Sequence, residues 1–220
     1  MLPYLFFLMI ITKQKNLEKI IRNLGAGPVF LIGCSECAAL CHTGGKDEIL
    51  AMKKTLEARN IPVSGSVVLD PACHLQNSKR MLKEYAKELD FAKKILVLSC
   101  GNGVQTVAGL FTQKEVIPGT DTLFLGEITH VNEFNKHCSL CGECVLDVFG
   151  GLCPVSQCPK SMLNGPCGGS SNGKCEIDTQ LDCVWDQIYQ LLKKRGNVQA
   201  LSVYQKPKDW SCAGEMKRRV

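Results

Sequence analysis

The sequence predicts an α/β protein with a Rossmann-like parallel sheet in its N-terminal half, followed by a cysteine-rich segment and a final helix. Two observations lead to this fold class. Short β-rich runs alternate with segments of helical period as far as residue 127, which is typical of parallel β-α units. From residue 137 onward, closely spaced cysteines and glycines replace this periodicity. We therefore expect two domains, over residues 9–130 and 131–220.

The first predicted element is a helix that begins after Asn16. An asparagine side chain can accept hydrogen bonds from the free amides of a first helical turn. The apolar residues that follow recur at i, i+3, i+4 and i+7, at Leu17, Ile20, Ile21 and Leu24. Such spacing places them on one face of a helix.

Four β-rich runs follow, over residues 29–32, 66–69, 95–98 and 122–125. The segments between them have apolar residues at helical spacing, at Ile49, Met52 and Leu56 and at Met81, Leu82, Tyr85 and Leu89. The alternation predicts four parallel strands with helices packed on the sheet.

The segment from residue 137 to about residue 185 contains eight cysteines, many glycines and few runs that could form regular structure. The cysteines are Cys138, Cys141, Cys144, Cys153, Cys158, Cys167, Cys175 and Cys183. Because this segment has almost no apolar core, we expect it to be a metal-organised fold. The final helix is predicted from Val184, Ile188, Leu191 and Leu192, and we expect it to pack on the N-terminal half.

The charge of the chain lies mostly at its C-terminal end. The formal net charge is +5, but residues 193–220 contain eight basic and two acidic residues, so that the remainder has a net charge of −1. These basic residues are not regularly interleaved with aromatic residues that could stack on bases. A solvated end or a docking surface for an acidic protein is therefore favoured over nucleic-acid binding.

The opening residues, 1–11, form an apolar run that resembles part of an export signal. No basic residue precedes the run and no small-x-small cleavage site follows it. The run is also shorter than the roughly 20 residues of a membrane-spanning helix. We therefore expect no membrane span and a cytoplasmic location. An equally weighted interpretation is that translation begins at Met9, so that residues 1–8 are not native.

The chain contains fourteen cysteines but only four histidines. In a reducing compartment, thiols at this density indicate metal or redox chemistry rather than disulfides. In the N-terminal half, Cys34, Cys73 and Cys100 each follow a predicted strand, and Cys37 and Cys41 come shortly after Cys34. Because carboxyl ends of parallel strands meet at one edge of a sheet, these five thiols are expected to converge. The alternative is that they are buried structural cysteines.

Two glycines follow Cys100 in a partial dinucleotide-binding pattern. The third glycine of that pattern is replaced by Thr106, which makes a nucleotide site a weak prediction. We instead interpret Gly101 and Gly103 as letting the backbone pass close to the group that Cys100 binds, with amides offered to its sulfurs.

The cysteine spacing favours iron-sulfur clusters over zinc. Cys34-x2-Cys37-x3-Cys41 and Cys138-x2-Cys141-x2-Cys144 are three-thiol loops, and a [4Fe-4S] cubane often takes three ligands from one loop and the fourth from elsewhere. Zinc commonly takes two C-x2-C pairs. The eight C-terminal cysteines suffice for two cubanes or for one cubane and one zinc, which gives two or three clusters in all. Cys212 is interpreted as a free thiol.

Several longer motifs carry a resemblance to a known family. They are Cys141-Gly-Glu-Cys, Gly150-Gly-Leu-Cys-Pro, Cys158-Pro-Lys-Ser, Asn164-Gly-Pro-Cys-Gly-Gly, Gly173-Lys-Cys-Glu and Cys183-x-Trp185. This run resembles the C-terminal domain family of methylenetetrahydrofolate reductase. Together with Gly33-Cys-x2-Cys-x3-Cys41, Cys100-Gly-x-Gly-Val-Gln-Thr and Pro207-Lys-Asp-Trp210, it makes the chain similar to the MetV-type iron-sulfur small subunits of that enzyme. Those subunits begin near Met9.

The resemblance implies a function for the chain. It would be a non-catalytic electron-transfer subunit that takes electrons from a donor protein and passes them to the flavin of a MetF-type partner. That partner reduces 5,10-methylenetetrahydrofolate to 5-methyltetrahydrofolate in the methyl branch of the Wood-Ljungdahl pathway. Two alternatives stay open: a zinc-stabilised adaptor without a redox role, and an independent catalyst with an open cluster site, which the fifth thiol of the first group opposes. No catalytic residue is predicted.

Overall fold

The computed structural model describes residues 9–130 and 133–214. It divides into two compact units, Met1–Phe124 and Leu125–Val220. The expectation that residues 1–8 are not native falls outside the described residues.

The described residues form strands and helices in the following order. The strands are β1 (Ile10–Gln14), β2 (Val29–Cys34), β3 (Val63–Leu69), β4 (Lys94–Val97), β5 (Glu115–Pro118), β6 (Thr120–His130) and β7 (Glu133–Cys138). The helices are α1 (Leu17–Leu24), α2 (Cys37–Leu40), α3 (Lys46–Ala58), α4 (Leu75–Leu82), α5 (Ala86–Phe91), α6 (Gly101–Leu110), α7 (Pro154–Gln157) and α8 (Val184–Lys194). Short 3-10 turns lie at Lys83–Tyr85, Val198–Ser202 and Trp210–Gly214.

The first unit is a mixed α/β fold whose main sheet is parallel, in the strand order β3-β2-β4-β5. The predicted strands at 29–32, 66–69 and 95–98 are confirmed as β2, β3 and β4. The prediction of residues 122–125 as the fourth strand of this sheet is wrong. Those residues belong to β6, which lies in a second sheet of order β1-β6-β7 and pairs antiparallel with β7.

The fourth parallel strand is instead the short β5. It ends in Pro118, which cannot donate a ladder hydrogen bond and is therefore tolerated at a sheet edge. Two apolar residues between Glu115 and Pro118 make a weaker β signal than residues 122–125. The apolar pattern alone therefore selected the wrong run.

Apolar side chains cover both faces of the parallel sheet. On one face Phe30 and Ile32 of β2 pack with residues of α4, α5 and α6, and on the other face Leu31 packs with residues of α1 and α3. This alternation follows from the two-residue period of a strand. The predicted helical face at Ile49, Met52 and Leu56 is buried in the second of these clusters.

Two local predictions in this unit have different outcomes. The Asn16 cap of α1 is confirmed, because its side-chain oxygen accepts hydrogen bonds from the amides of Glu18 at 2.9 Å and Lys19 at 3.3 Å. The single helix predicted around Met81 to Leu89 is instead α4 and α5, joined by the 3-10 turn Lys83–Tyr85.

The second unit has a small apolar core of its own, which corrects the expectation that this segment has almost none. The helix α8 supplies most of it, through Val184, Trp185, Ile188 and Leu192. These side chains pack on Phe149, whose ring meets Trp185 edge to face at 5.3 Å. The buried face of α8 thus packs on residues of its own unit. We had expected this face to pack on the N-terminal half.

None of the helices in residues 9–130 and 133–214 combines the length and the apolar character that a membrane span requires.

Candidate metal centres

Three cysteines of the first unit lie where neighbouring parallel strands end. Cys34 is the last residue of β2 and is in register with Leu69, the last residue of β3. Cys73 lies in the turn that follows β3, and Cys100 follows β4 as the N-cap of α6. Because β2 lies between β3 and β4, the three cysteines lie at one edge of the sheet.

Electrostatic interactions among these thiols, seen in their pKa shifts, indicate that four of them lie close together. Burial raises the pKa of Cys34, and the negative charges of Cys100 and Cys73 raise it further. Burial and then the charges of Cys100 and Cys34 raise the pKa of Cys37, and burial and then Cys100 raise that of Cys73. We call Cys34, Cys37, Cys73 and Cys100 the sheet-edge thiols.

The surroundings of the sheet-edge thiols suit a metal-bound thiolate. The backbones of Ala72 and Glu36 form hydrogen bonds with Cys34. These bonds partly offset the increase in its pKa that burial causes. Hydrogen bonds to cysteine sulfur are among the features that tune iron-sulfur sites. Four mutually repelling thiolates also need a compensating positive charge, which a metal centre supplies.

Cys41, the fifth cysteine of this half, has a different environment. It is buried, and its thiol donates to the main-chain carbonyl of Ile10 across 3.7 Å. Its charge is not among the causes of the pKa shifts of Cys34, Cys37 and Cys73. Electrostatic interactions therefore connect four of the five predicted ligands, whereas Cys41 is assigned none with them; Cys37 shares with Cys41 a hydrogen bond to the backbone of Ile10.

The two glycines after Cys100 both have packing roles. The amide of Gly101 donates to Thr122 Oγ1 at 2.7 Å, so that this amide already has a partner. A Cβ added to Gly103 would lie 2.4 Å from Ser99 Oγ and 2.9 Å from the Cβ of Ala72. The absence of a side chain at 103 thus lets α6 approach the turn that carries Cys73.

The histidines next to these cysteines have other partners. His74 Nδ1 accepts a hydrogen bond from the amide of Asn77 at 3.2 Å and thereby caps α4. The exposed His42 lies 3.8 Å from the Glu48 carboxylate. Neither contact involves a thiol.

In the second unit, four cysteines surround one small hollow. They are Cys158, Cys167, Cys175 and Cys183, which we call the hollow thiols, and the side chains of Lys160 and Trp185 also line the hollow. Main-chain bonds from Cys175 to Leu181 (2.9 Å) and from Cys183 to Gly173 (2.7 Å) hold two of them on one tight loop. Four cysteines that are dispersed over 26 residues of sequence therefore line one hollow.

Charged residues near the hollow thiols are paired with each other. Lys160 forms an ion pair with Glu176, and Lys174 forms one with Asp182 at 2.6 Å. Glu176 and Asp182 also line the hollow. The local positive charge of the two lysines is therefore partly offset.

A third group of cysteines lies at the end of β7 and on the loop that follows it. It comprises Cys138, Cys141 and Cys144, which we call the loop thiols. The amide of Leu140 points to Cys138 Sγ at 3.3 Å, and the Cys141 thiol donates to the carbonyl of Glu143 at 3.4 Å.

Cys153, another predicted ligand, is the N-cap of α7, and Cys212 was not predicted as a ligand. Ser156 of α7 donates to the carbonyl of His137 at 2.7 Å, beside Cys138. Cys212 lies directly against Gly142 of the loop, although nothing in the sequence near Cys212 indicates a partner.

Within the described ranges, the fourteen cysteines form no disulfide. No group of three or more His, Cys, Asp or Glu side chains in those ranges is arranged to hold a single metal ion. A cubane places each ligand on a different iron, so its four sulfurs stand farther apart than those around one ion.

Comparison with known proteins connects the second unit to a family. No curated protein and no solved structure matches the chain. A family model described as methylene-tetrahydrofolate reductase C terminal matches residues 117–211. The match contains the loop thiols, Cys153 and the hollow thiols, whereas the sheet-edge thiols and Cys212 lie outside it. The family that the sequence motifs predicted is therefore the one whose model matches residues 117–211.

Proposed function

We propose that this chain is an iron-sulfur electron-transfer subunit of a methylenetetrahydrofolate reductase. It partners a flavin-containing MetF-type subunit, which reduces 5,10-methylenetetrahydrofolate to 5-methyltetrahydrofolate. The observation that carries the proposal is the grouping of the thiols. The sheet-edge thiols and the hollow thiols are each a set of four, which is the number of cysteines that a cubane requires.

The sheet-edge thiols are the better-supported cluster site. Cys34 and Cys100 are buried, and the other two extend the group toward the surface. Because the pKa values of Cys34, Cys37 and Cys73 are raised, their protons must leave when a metal centre binds. A [4Fe-4S] cluster bound there would accept and release single electrons.

The hollow thiols have the number of cysteines that either a cubane or a zinc ion takes. The charges of Lys160 and Lys174 near this site are partly offset by Glu176 and Asp182, so the local charge does not discriminate between iron and zinc. The identity of this metal decides between two functions. With iron the site is part of an electron relay, whereas with zinc it is structural.

The match of residues 117–211 to a reductase family supports the proposed division of labour. Reduction of a methylene to a methyl group consumes two electrons and two protons. In our proposal a donor protein supplies the electrons, this chain relays them, and the flavin and the folate bind to the partner.

The decisive experiment is to measure iron, zinc and acid-labile sulfide per chain after anaerobic purification. We expect a brown, oxygen-sensitive protein with about eight to twelve irons and matching sulfide, as two or three cubanes require. Zinc with little iron would refute the electron relay and favour a zinc-stabilised adaptor.

A second measurement tests the division of labour. The purified chain, reduced anaerobically, should reduce the flavin of a MetF-type subunit on mixing. Alone, it should not convert methylenetetrahydrofolate. Turnover by the single chain would show that the substrate site is in this polypeptide.

A further inference from the structure

We infer that Cys212 supplies the fourth thiolate of the metal centre formed by the loop thiols, and so attaches the C-terminal segment to that centre. The inference rests on the proposed metal-binding function. It concerns a residue outside the part of the chain that the family model matches.

The first argument is the contact between Cys212 and the loop. Gly142 lies between Cys141 and Cys144 and has a positive φ of 78°. A Cβ added to Gly142 would lie 2.6 Å from the Cβ of Cys212 and 3.0 Å from its carbonyl carbon. Cys212 therefore lies against the middle of a loop that carries a thiol on either side of the contact.

The second argument is that separate contacts hold the same segment on the same loop. Lys208 donates to the carbonyl of Glu143 and lies 4.0 Å from its carboxylate, and the amide of Asp209 donates to Glu143 Oε2 at 3.3 Å. The amide of Ser211 in turn donates to Asp209 Oδ1 at 2.9 Å. These contacts fix the backbone immediately before Cys212.

The third argument is charge. The side chain of Lys208 is only 6% exposed, and its ammonium group donates to the Glu143 carbonyl of the loop. A positive charge beside a metal centre compensates part of the negative charge of its thiolate ligands. The segment that carries Cys212 thus also supplies a cation to this thiol-rich loop.

The proposal distinguishes Cys212 from Cys153, the next cysteine along the sequence after the loop thiols. The carbonyl of Cys153 accepts the first hydrogen bond of α7, from Gln157 at 3.1 Å, and a further one from Ser156 Oγ. These contacts place Cys153 at the start of a helix, whereas Cys212 directly contacts the loop.

The first test compares the variants Cys212→Ser and Cys153→Ser, each purified anaerobically and assayed for iron, zinc and sulfide. We expect Cys212→Ser to lose the metal of one centre, about four irons if it is a cubane, and Cys153→Ser to retain it. Full metal content in Cys212→Ser would overturn the inference, whatever Cys153→Ser does.

The second test needs no variant and so is independent of folding defects. The native chain is alkylated with iodoacetamide under anaerobic conditions and analysed by mass spectrometry, before and after a chelator removes the metal. Cys212 should be protected before removal and labelled after it. Rapid labelling of Cys212 in a chain that keeps its metal would overturn this inference alone, whereas a native chain without iron or zinc would overturn the proposed function as well.

Discussion

The two units of this protein differ in how much of their structure is explained by apolar packing. In the first unit, both faces of the parallel sheet are covered, and all six residues of β2 are buried. In the second unit, one small cluster around Phe149 and α8 accompanies long stretches of loop. We infer that metal binding adds a cofactor to a scaffold already formed in the first unit, but is part of folding in the second.

Removing the metal is the change with the largest expected effect. After chelation, the amides of Cys175 and Cys183, which bond to Leu181 and Gly173, should lose their protection from hydrogen exchange. The amides of β2 and β4 should keep theirs, because the core around them contains no metal ligand other than Cys34. Hydrogen exchange with mass spectrometry on the full chain measures both regions at once. Equal protection of the two regions after chelation would contradict the inference that metal binding is part of folding in the second unit only.

Within the first unit, two buried cysteines should behave differently. Cys100→Ala removes the thiol that is coupled to three others and should cost one cluster, about four irons per chain. Cys41→Ala is the matched control, because Cys41 is also buried but donates to Ile10. It should keep the full iron content. Similar losses in both variants would make Cys41 a ligand and reopen the assignment of the sheet-edge thiols.

Two phenylalanines form a matched pair for comparing the cores. Phe30 meets Tyr85 edge to face at 5.8 Å, and Phe149 meets Trp185 in the same way at 5.3 Å. Either substitution by Ala should lower the free energy of unfolding of its unit by about 3–5 kcal/mol. Only Phe149→Ala should also release metal, because Trp185 lines the hollow with the four thiols. Denaturant unfolding and metal content of both variants test this. Metal loss in Phe30→Ala but not in Phe149→Ala would contradict this expectation.

The sequence predicts much of the first unit because local patterns there coincide with the tertiary structure. Buried strands such as β2 are continuous apolar runs, and a cysteine that follows such a strand must lie at the carboxyl edge of the sheet. The convergence of Cys34, Cys73 and Cys100 could therefore be predicted. The strand β5 could not, because a two-residue apolar run before a proline is a weak signal.

The second unit is less predictable for a physical reason. Its cysteines lie in glycine-rich loops without periodicity, and which thiols meet is decided by loop closure rather than by local propensity. Cys158 and Cys183 are 25 residues apart in sequence but line one hollow. The contact between Gly142 and Cys212 spans 70 residues and has no local signal at either end.

The smallest expected effect comes from the cap of α1. Asn16→Ala removes the acceptor for the amides of Glu18 and Lys19 and should lower the free energy of unfolding of the first unit by about 1 kcal/mol. Asn16→Asp keeps an acceptor and serves as the control, with little expected change. Iron content should stay at the wild-type value in both variants, because the cap contacts none of the sheet-edge thiols. If Asn16→Ala loses iron along with stability, iron binding at the sheet-edge thiols depends on the stability of the first unit. Metal binding and folding would then be coupled in the first unit, as we infer for the second.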